Sequence, residues 1–286
     1  MSVVFKKLGD LLHIEQIDTQ LFSGISQDLG TGRIFGGQVL GQAIVASQKT
    51  VSDKKIHSAH AYFLRMGNHD LPVVYHVDNT RDGKSYSSRT VTATQQGNII
   101  FTMMCSFQVD EASEFDYAIA PNTEWLSLED GIEVNLEDNL GAINTNGRKI
   151  FTPQPFTIRL PNEDTDLTST TERFNIKTNQ TVVGDQSLHN AIFAYLSDFR
   201  LLASTLRSVG YRFKVKETML ATICHTIWFH RDIKVDDWLH SIYEPISLIN
   251  GRGMAKGAIY NSEGLLLATT MQEGVVRKLK WILPIN

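Results

Sequence analysis

The segment HAYFLRMGN, residues 60–68, returns in altered form as HTIWFHRDI, residues 225–233. Behind each copy comes a train of Thr-, Val-, Ile- and Phe-rich runs: VVYHVDNTRDGKSYSSRTVTATQQGNIIFTMMCSFQV from residue 73, and WLHSIYEPISLINGRGMAKGAIYNSEGLLLATTMQEGVV from residue 238. Phe63 and Arg65 align with Phe229 and Arg231, and Gly97 of QQGN aligns with Gly264 of NSEG, at a spacing of about 166 residues. A duplicated unit is the economical reading. Runs of this composition joined by glycine turns read as antiparallel hairpins. One long helical pattern precedes each train: residues 36–49 in the first half, and about 187–208, SLHNAIFAYLSDFRLLASTLRS, in the second. One helix followed by a meander, twice over, makes an α+β chain. Both helices are apolar over much of their circumference, as expected if a sheet wraps around each.

At 286 residues the chain is long enough for two domains and a sizeable core. Its net charge of -4 shows no basic excess, so neither nucleic acid nor an anionic membrane is an expected partner. The two cysteines, Cys105 and Cys224, lack CxxC spacing, so neither a disulfide framework nor a zinc ribbon is indicated and a cytoplasmic location is expected. The N-terminus does not read as a secretory signal, and no apolar run reaches the roughly 20 residues of a membrane span. Residues 113–147 hold eight carboxylates and no lysine or arginine. This places an acidic linker at 113–155 between an N-terminal domain, 1–112, and a C-terminal domain, 156–286. Trp125, Leu126 and Leu128 imply that the linker lies along a surface. Exposed strand edges point to a homo-oligomer, a dimer or a tetramer.

Three polar residues fall inside apolar patterns. Asp198 shares a helical stripe with Ala191, Tyr195 and Leu202, where a carboxylate needs partners or a cleft. The bland alternative is the stripe's wet edge. Thr222 lies in LATICHTIWFHR, residues 220–231, where alternation places Thr222, Cys224, Thr226, Trp228 and His230 on one face and His225 on the other. On its own it is a β-former. Gln272 lies in TTMQEGVVR, residues 269–277, where a strand end with a bulge at Gly274 is the simpler reading. His225 and His230 point apart, as do His57 and His60, so no metal is expected. Cys224, on the Thr222 face, is a thiol candidate weighed against a small buried hydrophobe. There is no GxSxG elbow. IFGGQVLGQAIVAS, residues 34–47, fits neither GxGxxG nor a P-loop, although Gly36 and Gly37 would bring a helix start and its free N–H groups close to a ligand.

In order along the chain, DLGTGRIFGGQVLGQA, HSAHAYFLRMG, NTRDGKSYSSR, YLSDF, ATICHTIWFHR and TTMQEGVVR resemble the motifs of the acyl-CoA thioesterase II family. The resemblance covers all of the chain except the linker. It implies two fused hotdog domains, each a long central helix wrapped by an antiparallel β-sheet. It also implies hydrolysis of medium- to long-chain acyl-CoA to fatty acid and CoA without cofactor or covalent intermediate. By motif, Asp198, Thr222 and Gln272 become the catalytic residues, Asp198 being the general base. Gly36, Gly37, Arg65 and Arg89 are candidates for substrate binding. The chain departs from the family pattern at Cys224, where Asp is usual, and at Met66, where Pro is usual. A non-catalytic acyl-CoA binder is the competing reading, in which the polar trio would be dispensable.

Overall fold

The computed structural model describes residues 7–29, 32–121, 131–134, 154–161, 169–213 and 217–279. Trp125, Leu126 and Leu128 of the acidic linker lie outside the described residues. The first half contains α1 (Leu8–Leu12), β1 (Ile14–Asp18), β2 (Leu21–Gly24), α2 (Gly36–Gln48), β3 (Lys55–Phe63), β4 (Val73–Asp82), β5 (Tyr86–Gln95) and β6 (Asn98–Gln108). After β7 (Ile132–Glu133), the second half contains β8 (Phe156–Leu160), β9 (Glu172–Thr178), α3 (Gln186–Ser197), α4 (Leu201–Ser204), a 3-10 turn (Thr205–Val209), β10 (Thr218–Phe229), β11 (Leu239–Ile249), β12 (Arg252–Tyr260) and β13 (Leu266–Lys278). Among the described residues no helix is long and apolar enough to cross a membrane.

All strands join one antiparallel sheet in the order β1-β2-β4-β5-β6-β3-β10-β13-β12-β11-β9-β8-β7. The two halves meet where β3 pairs with β10, with His60 opposite Thr226. These two residues are 166 apart, so the axis relating the halves passes through their own contact. The repeat extends to backbone detail. The Leu64 and Arg65 amides both donate to the Ile100 carbonyl, and those of His230 and Arg231 both donate to that of Leu267. Arg65 Nη1 donates to the Ile99 carbonyl at 2.6 Å, and Arg231 Nη1 to that of Leu266 at 2.9 Å.

The central helices cross closely because α2 carries glycine where they touch. A Cβ on Gly37 would stand 2.6 Å from the Tyr195 carbonyl oxygen, and one on Gly41 2.9 Å from that of Ala191. Rising along α2 therefore means descending along α3, so the helices are antiparallel. The N-terminus of α2 lies against the C-terminus of α3. Residues of both helices belong to one continuous apolar core, which accounts for their apolar circumference. Gln42, fully buried, is compatible with that core because its amide bonds the Leu11 and Ile25 carbonyls and the Tyr75 hydroxyl.

Two sequence expectations are corrected. The second long helix does not run to residue 208: α3 ends at Ser197, Asp198 is its C-cap, and Arg200 takes a left-handed conformation at φ 71°. The alternation of β10 is also interrupted. Thr222 lies opposite Gly274 but Cys224 opposite Glu273, so one extra residue bulges between them.

Candidate active site

Asp198 is placed by the end of α3, not by its stripe. The left-handed turn at Arg200 is costly for a residue with a Cβ and persists because tertiary contacts fix it. Arg200 Nε donates to Glu172 Oε1 at 2.8 Å, Nη2 also contacts that oxygen, and the Glu172 side chain is only 4% exposed. This ion pair stops the helix and leaves the Asp198 side chain facing the start of α2. Glu172→Ala is expected to destabilise the fold by about 2 kcal/mol, discounted for the partial exposure of Arg200. It should also lower turnover by loosening the turn. Thermal melting and steady-state rates check this, and an unchanged rate would free Asp198 from that anchor.

Around the carboxyl, Gln272 Nε2 donates to Asp198 Oδ1 at 2.5 Å and to Thr222 Oγ1 at 2.8 Å. Thr222 Oγ1 donates to Asp198 Oδ1 at 3.3 Å. The Gly37 backbone N–H also bonds the carboxyl, and no side chain caps α2 in competition with it. A Cβ on Gly36 would stand 2.8 Å from Asp198 Oδ2. The structure thus brings five of the residues singled out in the sequence together: Asp198, Thr222 and Gln272 from the second half, Gly36 and Gly37 from the first. Oδ1 is saturated by side-chain donors. Oδ2 faces Gly36, and Gln272 Oε1 is buried without a hydrogen-bond partner among the described residues.

Electrostatically the carboxyl is held between opposing influences. Burial is the largest and raises its pKa from 3.8 to about 7; the bonds from Gln272, Gly37 and Thr222 act in the other direction. The helix ends also oppose each other, since the C-terminus of α3 disfavours the anion and the N-terminus of α2 favours it. The outcome is a carboxyl that can take up and release a proton near neutral pH.

The bulge in β10 changes which neighbours share this site. Thr222 and His225 both face Asp198, His225 Nδ1 lying 3.7 Å from Oδ1, while Cys224 sits on the outer face beside Glu273 and the exposed Tyr62. Unbroken alternation puts His225 opposite to Thr222 and Cys224 beside it; the bulge reverses both placements. Burial pushes the Cys224 thiol up, away from a thiolate, and its outward position takes the departure from Asp out of contact with the carboxyl.

Arg89 is corrected as well. Its side chain is 2% exposed, and all five of its N–H groups are used by Thr50, Arg81, Ser88 and Asp82, leaving no donor for a phosphate. Its place in the sheet explains why it is buried. Across the first half Arg89, Cys105 and Ala59 stand side by side, where the second half has Ala255, Gln272 and His225. Arg89 fills the first half's counterpart of the site. Arg65 remains exposed at the surface, tied to Ile99. Among the described residues no group of three or more His, Cys, Asp or Glu side chains could hold a metal.

A buried carboxyl poised near neutrality between two fused helix-and-sheet units describes a hydrolase of the double-hotdog type. Residues 25–108 match the family model for the acyl-CoA thioesterase N-terminal domain, and residues 153–275 match that for acyl-CoA thioesterase. Acyl-CoA thioesterase 2 of Haemophilus influenzae is 35% identical over 97% of this chain and 99% of its own. The crystal structure of an acyl-CoA thioesterase II from Mycobacterium marinum superposes with a TM-score of 0.76 at 28% identity, covering 96% of this chain and 99% of that one. A hot dog fold protein from Alicyclobacillus acidocaldarius, 16% identical with a TM-score of 0.75 over 95% of this chain and 98% of its own, shares the fold. The chain belongs to the acyl-CoA thioesterase family, enzymes that hydrolyse acyl-CoA to fatty acid and CoA.

Proposed function

We propose that this chain hydrolyses medium- to long-chain acyl-CoA with Asp198 as the general base and no covalent intermediate. The observation that carries the mechanism is the divided carboxyl: Oδ1 fixed by Gln272 and Thr222, Oδ2 directed at Gly36. Water placed between Asp198 Oδ2 and the open acceptor Gln272 Oε1 would present its lone pair to the thioester carbon. As the new C–O bond forms, one water proton passes to Asp198 and the carbonyl π electrons move to oxygen. The N–H groups at the start of α2 are suited to stabilise that oxyanion. Collapse breaks the C–S bond, and the proton held by Asp198 goes to sulfur, giving fatty acid and CoA.

An apolar acyl group is supported by the ring cluster beside the carboxyl, in which Phe35 and Phe199 lie 4.4 Å apart and Phe156 lies 4.9 Å from Phe199. Arg65, exposed and singly bonded through its guanidinium, is retained as a candidate for the CoA phosphates. The family-model spans support a domain division at 1–112 and 156–286 around the acidic linker. Two free cysteines support a cytoplasmic location, and exposed apolar side chains on the outer sheet face, Tyr62 and Met104, support a dimer or tetramer. Free thiol released from palmitoyl-CoA, followed with a thiol reagent, tests the reading. Turnover is expected, with kcat/KM rising to a plateau through a midpoint near pH 7. Binding without turnover would overturn the enzyme reading in favour of an acyl-CoA binder.

A further inference from the structure

His225 is fully buried, and its ring meets two partners of different kinds. Nε2 lies 3.1 Å from Ser197 Oγ, and Nδ1, with no hydrogen-bond partner among the described residues, points at Asp198 Oδ1 from 3.7 Å. The tautomer follows from the serine. Ser197 Oγ donates its single hydrogen to the Ala194 carbonyl at 2.9 Å, so it can only accept from the ring. His225 therefore carries its hydrogen on Nε2 and turns a bare lone pair to the carboxyl. Too far for a hydrogen bond, that lone pair acts through its charge: the negative end of the imidazole dipole faces Oδ1 in a water-poor site.

We propose that His225 is a positioning residue for the general base, its Nδ1 lone pair opposing the ionised form of Asp198 and so keeping the carboxyl basic enough to deprotonate water. The proposal deepens the hydrolytic reading above and rests on it. Across the repeat, the half with the carboxyl has His225, and the half without it has Ala59 at the corresponding place in the sheet. The role requires a neutral ring, and burial holds the His225 pKa down at about 3. The other groups facing Asp198 do not supply the effect. Tyr195 on its own helix and Tyr243 on β11 are phenols pushed upward by burial and remain neutral. Gln272 on β13, Thr222 on β10 and the Gly37 amide on α2 all donate and favour the anion. His225 is thus the polar side chain at the carboxyl that pushes the other way.

The test is the pH dependence of kcat/KM for palmitoyl-CoA in the intact chain, with a thiol reagent that reports at acid pH. In His225→Asn an amide donor takes the place of Nδ1. The acid-limb midpoint should move down by about one pH unit and the plateau should fall several-fold, because the base is weaker. Ser197→Ala gives a milder probe. Without the hydroxyl the ring is released to the Nδ1–H tautomer, which turns the positive end of an N–H instead of a lone pair to Asp198 Oδ1, and the midpoint should again fall. A purely structural role would lower the plateau and leave the midpoint in place. An unmoved midpoint in the folded His225→Asn variant, or in Ser197→Ala where the former does not fold, overturns the proposal. Asp198→Asn keeps the two levels apart: if it retains wild-type turnover the general-base reading itself fails, whereas a dead Asp198→Asn with unmoved midpoints removes only His225.

Discussion

Asp198→Asn is expected to lower kcat/KM by about 1,000-fold while raising the melting temperature at pH 8. The loss follows from removing a proton acceptor that general-base catalysis uses in its rate-determining transition state. The gain follows from the same burial that makes the group a base. In the folded chain the carboxyl titrates at about 7 instead of 3.8, so folding favours its protonated form. That favourable contribution is complete below pH 3.8 and is lost as pH rises through about 7. At pH 8 the ionised form is less favourable by about 4 kcal/mol relative to an ordinary carboxyl. Asparagine recovers this at pH 8 and almost none of it at pH 4. Having one acceptor oxygen, it gives up a donor contact worth about 1 kcal/mol, which leaves a net gain of a few kcal/mol. Retention of most of the activity would remove Asp198 as base. Equal melting shifts at pH 4 and pH 8 would remove the electrostatic account.

Gly37→Ala should cost stability and activity together, although helix propensity alone predicts a gain of up to about 1 kcal/mol. The added Cβ meets the Phe35 ring at 2.5 Å and the Tyr195 carbonyl oxygen at 2.6 Å. The ring can rotate away; the carbonyl is backbone of α3 and cannot. Overpacking of this kind typically costs about 1–3 kcal/mol, so the clash outweighs the propensity. Its consequence reaches the chemistry because the helices separate where the Gly37 N–H bonds Asp198. A fall in kcat/KM of at least about tenfold is expected, as for loss of an oriented donor at a reacting centre. Gly41→Ala, four residues further along the same contact, should destabilise without altering the pH–rate midpoint. If Gly37→Ala melts and turns over like the parent chain, the close helix crossing does not set the site.

The repeat, the first central helix and the candidates Asp198, Thr222 and Gln272, whose side chains the structure brings into contact, were legible in the chain, because each rests on local periodicity or on motifs that recur in order. Their assembly was not. A single extra residue in β10 between Thr222 and Cys224 reverses side-chain parity and leaves no mark in composition, so His225 was placed on the wrong face. The break at Arg200 was hidden for a different reason. YLSDFRLLAS has unbroken helical periodicity, and what stops the helix is Glu172, far away in sequence and close only in the fold. Arg89 stands in the sequence as a candidate for substrate binding because nothing local announces that Thr50 and Asp82 will surround it. Contacts between the halves were equally unreadable, and the nearness of Gly37 to Asp198 is one of them.

The places held by Arg89 and Ala255 bear on why the two units are one chain. Two separate identical subunits would obey a single sequence, so an arginine at that position would crowd both sheets and an alanine would leave both open. Covalent fusion lifts that equality. One copy can spend the position on a five-bonded buried cation, and the other can leave it small beside Gln272. The symmetry that generated the fold is broken at the row of residues where the chemistry needs it broken.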